Sequence, residues 1–249
     1  MSTLDWGLPA LRQALGPGVE LEWLARCGST NTELLERARA GLARPCVLVA
    51  EQQDAGRGRL GRQWQSWPGA SLTVSIAWPW GTAPLEGLSL AVGAALAEAL
   101  DARVQLKWPN DLWFERRKLG GILIETVAQG GSPRALVLGV GLNIAPPPAD
   151  VGLPSAGLQQ LDPRWSAPTA LATAAPVLVD LLQGWQGFAP WQARYAARDG
   201  LRGLPLELSG VQGLGEGVSR SGELLLRDAQ GQLHALASGE AQLRWGSPS

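Results

Sequence analysis

The segment from residue 53 to residue 70 constrains the fold most, because it has neither helical nor strand periodicity. It mixes glycines with arginines and tryptophans, and such a mixture cannot form a regular amphipathic element. An apolar run at residues 46–52 precedes the segment and an alternating run at residues 71–78 follows it, and both runs are typical of strands. The sequence therefore predicts a long loop that connects two strands of a sheet.

The first part of this segment, residues 56–62, is called the Arg-Gly loop below. Glycine lets the backbone approach a ligand and expose its N–H groups, and arginine forks bind carboxylate or phosphate groups. Such a loop suits a substrate with two anionic groups that must be brought together. A mobile basic loop or a segment that contacts RNA is the alternative that these residues leave open. The residues concerned are Gly56, Arg57, Gly58, Arg59, Gly61 and Arg62.

Periodicity predicts further elements on both sides of the loop. We expect a strand at residues 19–27, a helix at 32–40 and a largely buried helix at 85–100. From about Leu201, short alternating strands with closely spaced glycines predict a small all-β barrel. Between these regions the patterns predict three strands, at residues 103–108, 119–127 and 134–144. They also predict a helix at residues 168–188, which Pro176 kinks or divides, and another helix at residues 189–199.

Composition excludes several classes of protein. The net charge of −1 gives no general attraction to nucleic acid or to an anionic membrane. We find no signal-peptide pattern and no apolar run of the ~18 residues that a membrane span requires. The two cysteines, Cys27 and Cys46, argue against a disulfide scaffold and against a Cys-based zinc site. We expect a cytoplasmic protein with reduced thiols, and neither DNA nor a membrane as a partner.

Lysine and asparagine are rare in this arginine-rich chain. Of the 21 basic residues only Lys107 and Lys118 are lysines, and the asparagines are Asn31, Asn110 and Asn143. An ammonium group and a guanidinium group differ in hydration and geometry, so lysine resists replacement by arginine only at particular sites. The few lysines and asparagines are therefore candidate site residues.

Both lysines fall within two neighbouring motifs, KWPND at residues 107–111 and RKLGGILIE at residues 117–125. A lysine ammonium suits phosphate oxygens, and Asn110 and Asp111 could orient a nucleotide or a hydrated Mg²⁺. The alternative for WPND is a hairpin turn with an aromatic plug. Asn143 ends the apolar motif GVGLNI, where its amide is either a turn cap or a ligand contact.

The catalytic motifs of several other enzyme classes are missing from the sequence. It contains no phosphate-binding GxxxxGK[ST] loop and no serine nucleophile elbow. Its one histidine, His234, lies in the barrel-like tail, so histidine-based acid–base catalysis is not expected.

The motifs GSTN, GRGRLGR, KWPND, KLGGILIE and GVGLNI, in this order and near these spacings, resemble the biotin–protein ligase family. The resemblance covers about residues 20–245 and implies an α+β fold. A catalytic domain at residues 1–200, with a mixed sheet like that of class II aminoacyl-tRNA synthetases, would precede an SH3-like β-barrel at 201–249. About 20 residues precede the first catalytic strand, so we expect the short form, without the N-terminal DNA-binding domain of bifunctional members.

The resemblance also implies roles for residues at the biotin end of a site. Ser29, Thr30 and Gln53 match positions that hydrogen-bond the ureido head of biotin, with the backbone of Gly56 and Arg57 nearby. Asn31 lies beside these contacts, with capping of the following helix as its alternative role.

At the other end the resemblance implies catalysis and nucleotide binding. Arg59 and Lys118 match groups beside the biotin carboxylate and the α-phosphate, and both would be catalytic. Trp64 would cover the apolar ring and the adenylate, and Asp111 would hold Mg²⁺. The residues expected on the nucleotide side are Arg57, Arg62, Trp64, Lys107, Asn110, Asp111 and Asn143.

The implied reaction joins biotin to ATP, with Mg²⁺ as cofactor, and then transfers biotin to a lysine of a carboxylase's biotin carboxyl carrier domain. A homodimer is compatible with the resemblance. A lipoate or octanoate ligase of the same fold is the nearest alternative, and the Gln53 and GRGRLGR context favours biotin over it. A non-catalytic RNA-binding module that uses the Arg-Gly loop is disfavoured by the net charge near zero.

Overall fold

The computed structural model describes residues 4–129, 132–148 and 154–243, and a seven-stranded mixed sheet is its main feature. Its strands are β1 (Glu20–Cys27), β2 (Cys46–Gln53), β3 (Ser71–Pro79), β4 (Gln105–Lys107), β5 (Asp111–Phe114), β6 (Arg117–Gln129) and β7 (Ser132–Asn143). They lie in the order β1-β2-β3-β7-β6-β5-β4, with β1 and β2 parallel and all other neighbours antiparallel.

Helices cover both faces of this sheet, because β2 presents apolar side chains to both sides. Cys46 and Leu48 of β2 pack in one buried cluster with Leu34, and Val47 and Val49 belong to the other. The helices are α1 (Leu8–Leu15), α2 (Thr30–Gly41), α3 (Leu88–Leu100), α4 (Ala167–Gln183) and α5 (Gln192–Ala196). The first cluster includes side chains of α2, and the second includes side chains of α1, α3 and α4.

A second sheet follows, and it is antiparallel throughout. Its strands are β8 (Pro205–Leu208), β9 (Val211–Val218), β10 (Leu224–Arg227), β11 (Leu233–Leu236) and β12 (Gln242–Leu243), in the order β11-β10-β9-β8-β12. Within the described residues no pairing joins β11 to β12, and β12 has only 2 residues. The small β-sheet is therefore present, but a closed barrel is not confirmed.

The two sheets share one hydrophobic core. Leu206 and Leu224 of the second sheet belong to the same buried cluster as Leu90 of α3. The Trp108 indole N–H also donates to the Gly222 carbonyl at 3.0 Å. The predicted division near residue 201 thus coincides with a change of sheet, and whether it separates two domains stays a prediction.

Most predicted elements are present, with three differences. The helix α1 was not predicted, because it is short and its N-cap is Gly7, which has no side chain to cap the helix. The strand β5 was not among the predicted strands, and WPND connects β4 to it as the hairpin turn that the sequence left open, with a cis peptide bond before Pro109. The helix expected at residues 189–199 is a 3-10 turn followed by the five-residue α5.

Across the described residues, no helix has the length and apolar character needed to cross a membrane.

Proline 176 neither divides nor ends α4. The helix runs from Ala167 to Gln183 with this proline inside it. A proline in a helix interior removes one backbone hydrogen bond and crowds the preceding turn. The apolar face of α4 keeps the helix continuous by packing against α3 and β3.

Replacing Pro176 with alanine should raise the free energy of unfolding by about 1–2 kcal/mol, because the ~3 kcal/mol helix penalty outweighs the lost packing of the ring. Urea unfolding monitored by circular dichroism measures the change. Pro168, in the first turn of α4, is the control, and Pro168→Ala should stay within about 0.5 kcal/mol of the wild type. A less stable Pro176→Ala would show that the ring's packing outweighs the helix penalty.

Candidate active site

A cavity of about 220 Å³ lies above β3, β6 and β7, between the start of α2 and the Arg-Gly loop. Among the described residues, every buried polar or charged side chain except Ser71 lines it. Polar groups are costly to bury without partners, so their concentration marks a binding site for a polar ligand. These residues are Ser29, Thr30, Asn31, Thr73, Ser75 and Asn143.

One end of the cavity is built by the start of α2 and the end of β2. The Thr30 backbone N–H and hydroxyl both donate to Gln53 Oε1, at 2.7 and 3.0 Å. Ser29 is the N-cap of α2, and its Oγ accepts from the Thr32 N–H at 3.5 Å. Gln53 Nε2 has no hydrogen-bond partner in the described part of the chain. Because the Gln53 oxygen is occupied, its amide nitrogen is the group left to donate to a ligand.

Asn31 lies behind this end, and only 3% of its surface is exposed. Its Oδ1 accepts from Ser75 Oγ at 2.6 Å, and Ser75 Oγ is 2.7 Å from Thr30 Oγ1. Its Nδ2 donates to Glu125 Oε2 at 3.0 Å. The helix cap is Ser29, so the capping role considered for Asn31 is wrong, and Asn31 instead supports the cavity wall.

The Arg-Gly loop is folded as a tight hairpin, which the sequence did not predict. The Gly58 N–H donates to the Arg62 carbonyl at 2.7 Å, and the Trp64 N–H donates to the Gly56 carbonyl at 2.9 Å. Leu60 at the tip has a positive φ of 55° and is 75% exposed. The hairpin therefore holds its arginines at the rim of the cavity.

Four cationic side chains line the cavity, and three of them are paired with a carboxylate. The pairs are Arg57 with Glu125 at 2.8 Å, Lys118 with Asp111 at 2.7 Å, and Arg62 with Glu240. Arg59 has no ion-pair partner within the described residues. Burial acts to raise the pKa of Glu240, but the Arg62 hydrogen bond and the charges of Lys107 and Lys118 outweigh it and lower that pKa. Arg59 is thus the cation best placed to receive an anionic ligand.

The two asparagines on the far side of the cavity also have structural partners. Asn110 Nδ2 donates to the Ile122 carbonyl at 2.9 Å, which ties the β4–β5 turn to β6. Asn143 Nδ2 donates to the carbonyls of Lys118 and Ala156, at 3.1 and 3.0 Å. Both side chains line the cavity, so they combine a structural contact with access to a ligand.

Two of the predicted site residues do not line the cavity. Lys107 Nζ lies 5.4 Å from the centroid of the Trp113 ring, and Lys107 opposes Asp111 across the β4–β5 pair. Gly56 lies at the base of the hairpin, where a side chain would overlap the Trp64 carbonyl. The structure brings all the other predicted site residues together around one cavity.

Two glycines of β7 make room for side chains of the site, Gly141 for Trp64 and Gly139 for Asn31. A Cβ at Gly141 would overlap the Trp64 ring, and a Cβ at Gly139 would overlap the Asn31 amide. The Trp64 indole N–H is buried without a partner among the described residues, so it can donate to a bound ligand.

Sequence reasoning missed several residues of the site. The alternating glycines of GVGLNI, Gly139 and Gly141, could have indicated a close approach to this strand, and Glu125 was inside a motif without a role of its own. No local signal marked Thr73, Ser75 or Glu240.

A group of side chains that could hold a metal ion lies apart from the cavity. Glu20, Glu22 and Cys46 meet at the opposite end of β1 and β2. Arg44 and Arg37 already pair with the two carboxylates. Burial raises the pKa of the Cys46 thiol to about 11, so this group is a poor metal site.

Comparison with known proteins places these observations in a family. Residues 23–143 match the model of the biotin/lipoate A/B protein ligase family. The bifunctional ligase/repressor BirA of Escherichia coli is 34% identical over 87% of this chain and 71% of its own length. The biotin–[acetyl-CoA-carboxylase] ligase of Mycobacterium tuberculosis is 34% identical over 92% of this chain and 91% of its own length. Biotin protein ligase from Aquifex aeolicus, in complex with biotin and ATP, has a similar structure, with a TM-score of 0.77 and 27% identity. The match covers 91% of this chain and 99% of the Aquifex protein.

Gly141→Ala should lower the free energy of unfolding by about 1–3 kcal/mol, because the added methyl group displaces the Trp64 ring. Gly81→Ala is the matched control, since nothing lies within 4 Å of its Cβ position. Urea unfolding of both variants measures the difference. Trp64→Leu in the Gly141→Ala background should recover part of the loss. Equal stability of Gly141→Ala and Gly81→Ala would contradict the close packing.

Proposed function

The chain belongs to the biotin/lipoate A/B protein ligase family, and we infer from that premise that it is an ATP-dependent biotin–protein ligase. It joins biotin and ATP into biotinyl-5′-AMP and then transfers biotin to a lysine of a biotin carboxyl carrier protein. The observation that carries this function is the two-ended cavity, with neutral hydrogen-bonding groups at Thr30 and Gln53 and cations at Arg59 and Lys118. Biotin has the matching chemistry, a neutral urea ring and a carboxylate tail.

The neutral end is assigned to the ureido head of biotin. A urea needs donors for its carbonyl and acceptors for its N–H groups, and Ser29, Thr30 and the Gln53 amide supply such groups. Trp64 covers the apolar ring. Arg57 lies at the rim beside this end, where its guanidinium group donates two hydrogen bonds to Glu125. A lipoyl chain, which lacks the urea, would leave these buried polar groups unmatched.

The opposite end is assigned to ATP, with Mg²⁺. Asp111 is a cavity-lining carboxylate of which only 13% is exposed. Mg²⁺ keeps several waters and needs only one or two carboxylates in addition to phosphates, so this donor set fits the ion. Bound there, Mg²⁺ would neutralise phosphate charge. Lys118 lies 2.7 Å from Asp111, and Asn110, Asn143 and Arg62 complete this end.

The first half-reaction brings two anions together. The biotin carboxylate attacks the α-phosphorus of ATP, and pyrophosphate leaves. Arg59, which has no carboxylate partner among the described residues, and Lys118 offset the negative charge that develops on the oxygens. The cavity holds both substrates in line, which converts a bimolecular step into a unimolecular one.

The second half-reaction needs no nucleophile from the enzyme. The acceptor lysine attacks the biotinyl carbonyl of the adenylate, the C–N bond forms, and AMP leaves. We propose that residues 201–249, which contain the second sheet, form a separate SH3-like domain that helps to present the nucleotide site. The Arg62–Glu240 pair supports this role, because it joins the Arg-Gly loop to that sheet.

Incubation with ATP labelled at the α-phosphate tests the proposal against its alternatives. A biotin ligase forms labelled biotinyl-AMP with biotin, releases pyrophosphate and then biotinylates a carrier domain. Turnover with lipoate or octanoate in place of biotin would indicate a lipoate or octanoate ligase instead. If no acid yields an acyl-adenylate while the protein binds RNA, the enzyme assignment is wrong.

Arg59→Ala should slow adenylate formation ~10²–10³-fold, because it removes a cation that acts on the developing charge. Single-turnover formation of labelled biotinyl-AMP measures the rate. Arg39→Ala, at an exposed position on α2, is the control and should keep the wild-type rate. Wild-type turnover by Arg59→Ala would remove this residue from the mechanism.

Lys118→Arg should reduce the same rate at least ~10-fold although it keeps the charge. The backbone at Lys118 is fixed by hydrogen bonds to Pro154 and Ala156, so a larger side chain cannot retreat from the cavity. A planar guanidinium cannot replace the compact ammonium beside Asp111. Rapid-quench kinetics at saturating ATP are the measurement, and a variant as fast as the wild type would show that only charge matters here.

A further inference from the structure

Glu125 on β6 collects three hydrogen bonds from two separate parts of the site. Arg57 Nη2 donates to Oε1 at 2.8 Å and Nη1 donates to Oε2 at 3.2 Å, and Asn31 Nδ2 donates to Oε2 at 3.0 Å. Its side chain is only 22% exposed. Side chains alternate along a strand, so Glu125 shares its face of β6 with Gly121 and Leu123, which line the cavity.

The same carboxylate is connected to the neutral end of the cavity. From Asn31 the hydrogen bonds continue through Ser75 to the Thr30 hydroxyl, and the Thr30 backbone N–H donates to Gln53. A chain of hydrogen bonds, buried where it passes through Ser75, thus joins the Arg-Gly loop to the group that would donate to the urea. In a polar network of this kind, loss of one member disturbs the others.

Arg57 is held by this contact instead of being directed at a phosphate. Two of its guanidinium nitrogens donate to Glu125, which leaves Arg59 and Arg62 as the loop cations nearer the nucleotide end. Arg57 follows Gly56, where the hairpin begins, so the pair fixes the base of the hairpin against β6.

We propose that Glu125 is a positioning residue for biotin: it anchors Arg57 and Asn31, and through them it sets the loop and the Gln53 amide that receive the ureido ring. The proposal rests on the biotin ligase function. It predicts that Glu125 affects biotin binding much more than ATP binding, because its partners lie at the neutral end of the cavity.

The test compares Glu125→Gln, which removes the charge and keeps the shape, with Arg57→Met and with the double variant. Each single variant should raise KM for biotin roughly 10–100-fold, as expected for a lost hydrogen bond to a charged group, while KM for ATP stays nearly constant. The double variant should be little worse than either single one, because both remove the same contact. Glu22→Gln is the control, because it disrupts a similar carboxylate–arginine pair, with Arg37, outside the cavity.

Pyrophosphate release by the wild type with biotin is measured first, so that a failed ligase assignment is recognised separately. Given an active wild type, an unchanged biotin KM in Glu125→Gln overturns the proposal. An equal rise in both KM values, or a lower kcat with neither KM changed, also overturns it, because either result indicates a general structural role. If Glu125→Gln does not fold, Arg57→Met decides alone, since Arg57 is 44% exposed and its truncation leaves the core intact.

Discussion

The pairing of cations with carboxylates around one cavity is the interaction on which the site depends. Three arginines and one lysine face the same small space, and like charges at such distances repel. Carboxylates from three different parts of the chain, Glu125, Asp111 and Glu240, neutralise all but Arg59 within the described residues. Each pair also joins two elements, so the arrangement that balances the charge also holds the hairpin, β5, β6 and the second sheet in place. The same ion pairs therefore link elements around the cavity and set its charge.

The main sheet makes this arrangement possible because two residues of β7 under the site have no side chain. Gly139 and Gly141 leave room on β7 for the Asn31 amide and the Trp64 ring, which would otherwise be displaced from the cavity floor and wall. This arrangement buries polar side chains, which is unfavourable unless they form hydrogen bonds. Thr30, Ser75 and Asn31 form most of these hydrogen bonds with one another. A ligand with neutral donors and acceptors can complete such a network, whereas a purely apolar one would leave it open.

The periodic elements of both sheets could be predicted from the sequence because apolar periodicity is a local property. Ordered motifs also predicted which side chains meet, and twelve of the predicted site residues do line one cavity. Two of the three carboxylate partners could not be predicted, since Glu125 lies 68 residues from Arg57 and Glu240 lies 178 residues from Arg62. Pairing across such distances depends on the sheet order, which periodicity does not specify. The hairpin of the Arg-Gly loop was missed for a related reason: its backbone hydrogen bonds require no regular side-chain pattern.

The charge balance also explains why no single group of the cavity suffices for the reaction. With Arg57, Arg62 and Lys118 paired, the lining cations exceed their carboxylate partners by the charge of Arg59 alone. ATP and a biotin carboxylate together carry several negative charges, far more than one guanidinium can offset, and the Mg²⁺ proposed at Asp111 would supply positive charge that the cavity itself lacks. A cavity with more positive charge would offset more of the charge of ATP by itself. It would, however, need unpaired buried cations, which destabilise the folded protein in the absence of ligand. Partial neutralisation by carboxylates is therefore the arrangement that keeps the empty site stable and still leaves it able to receive two anions.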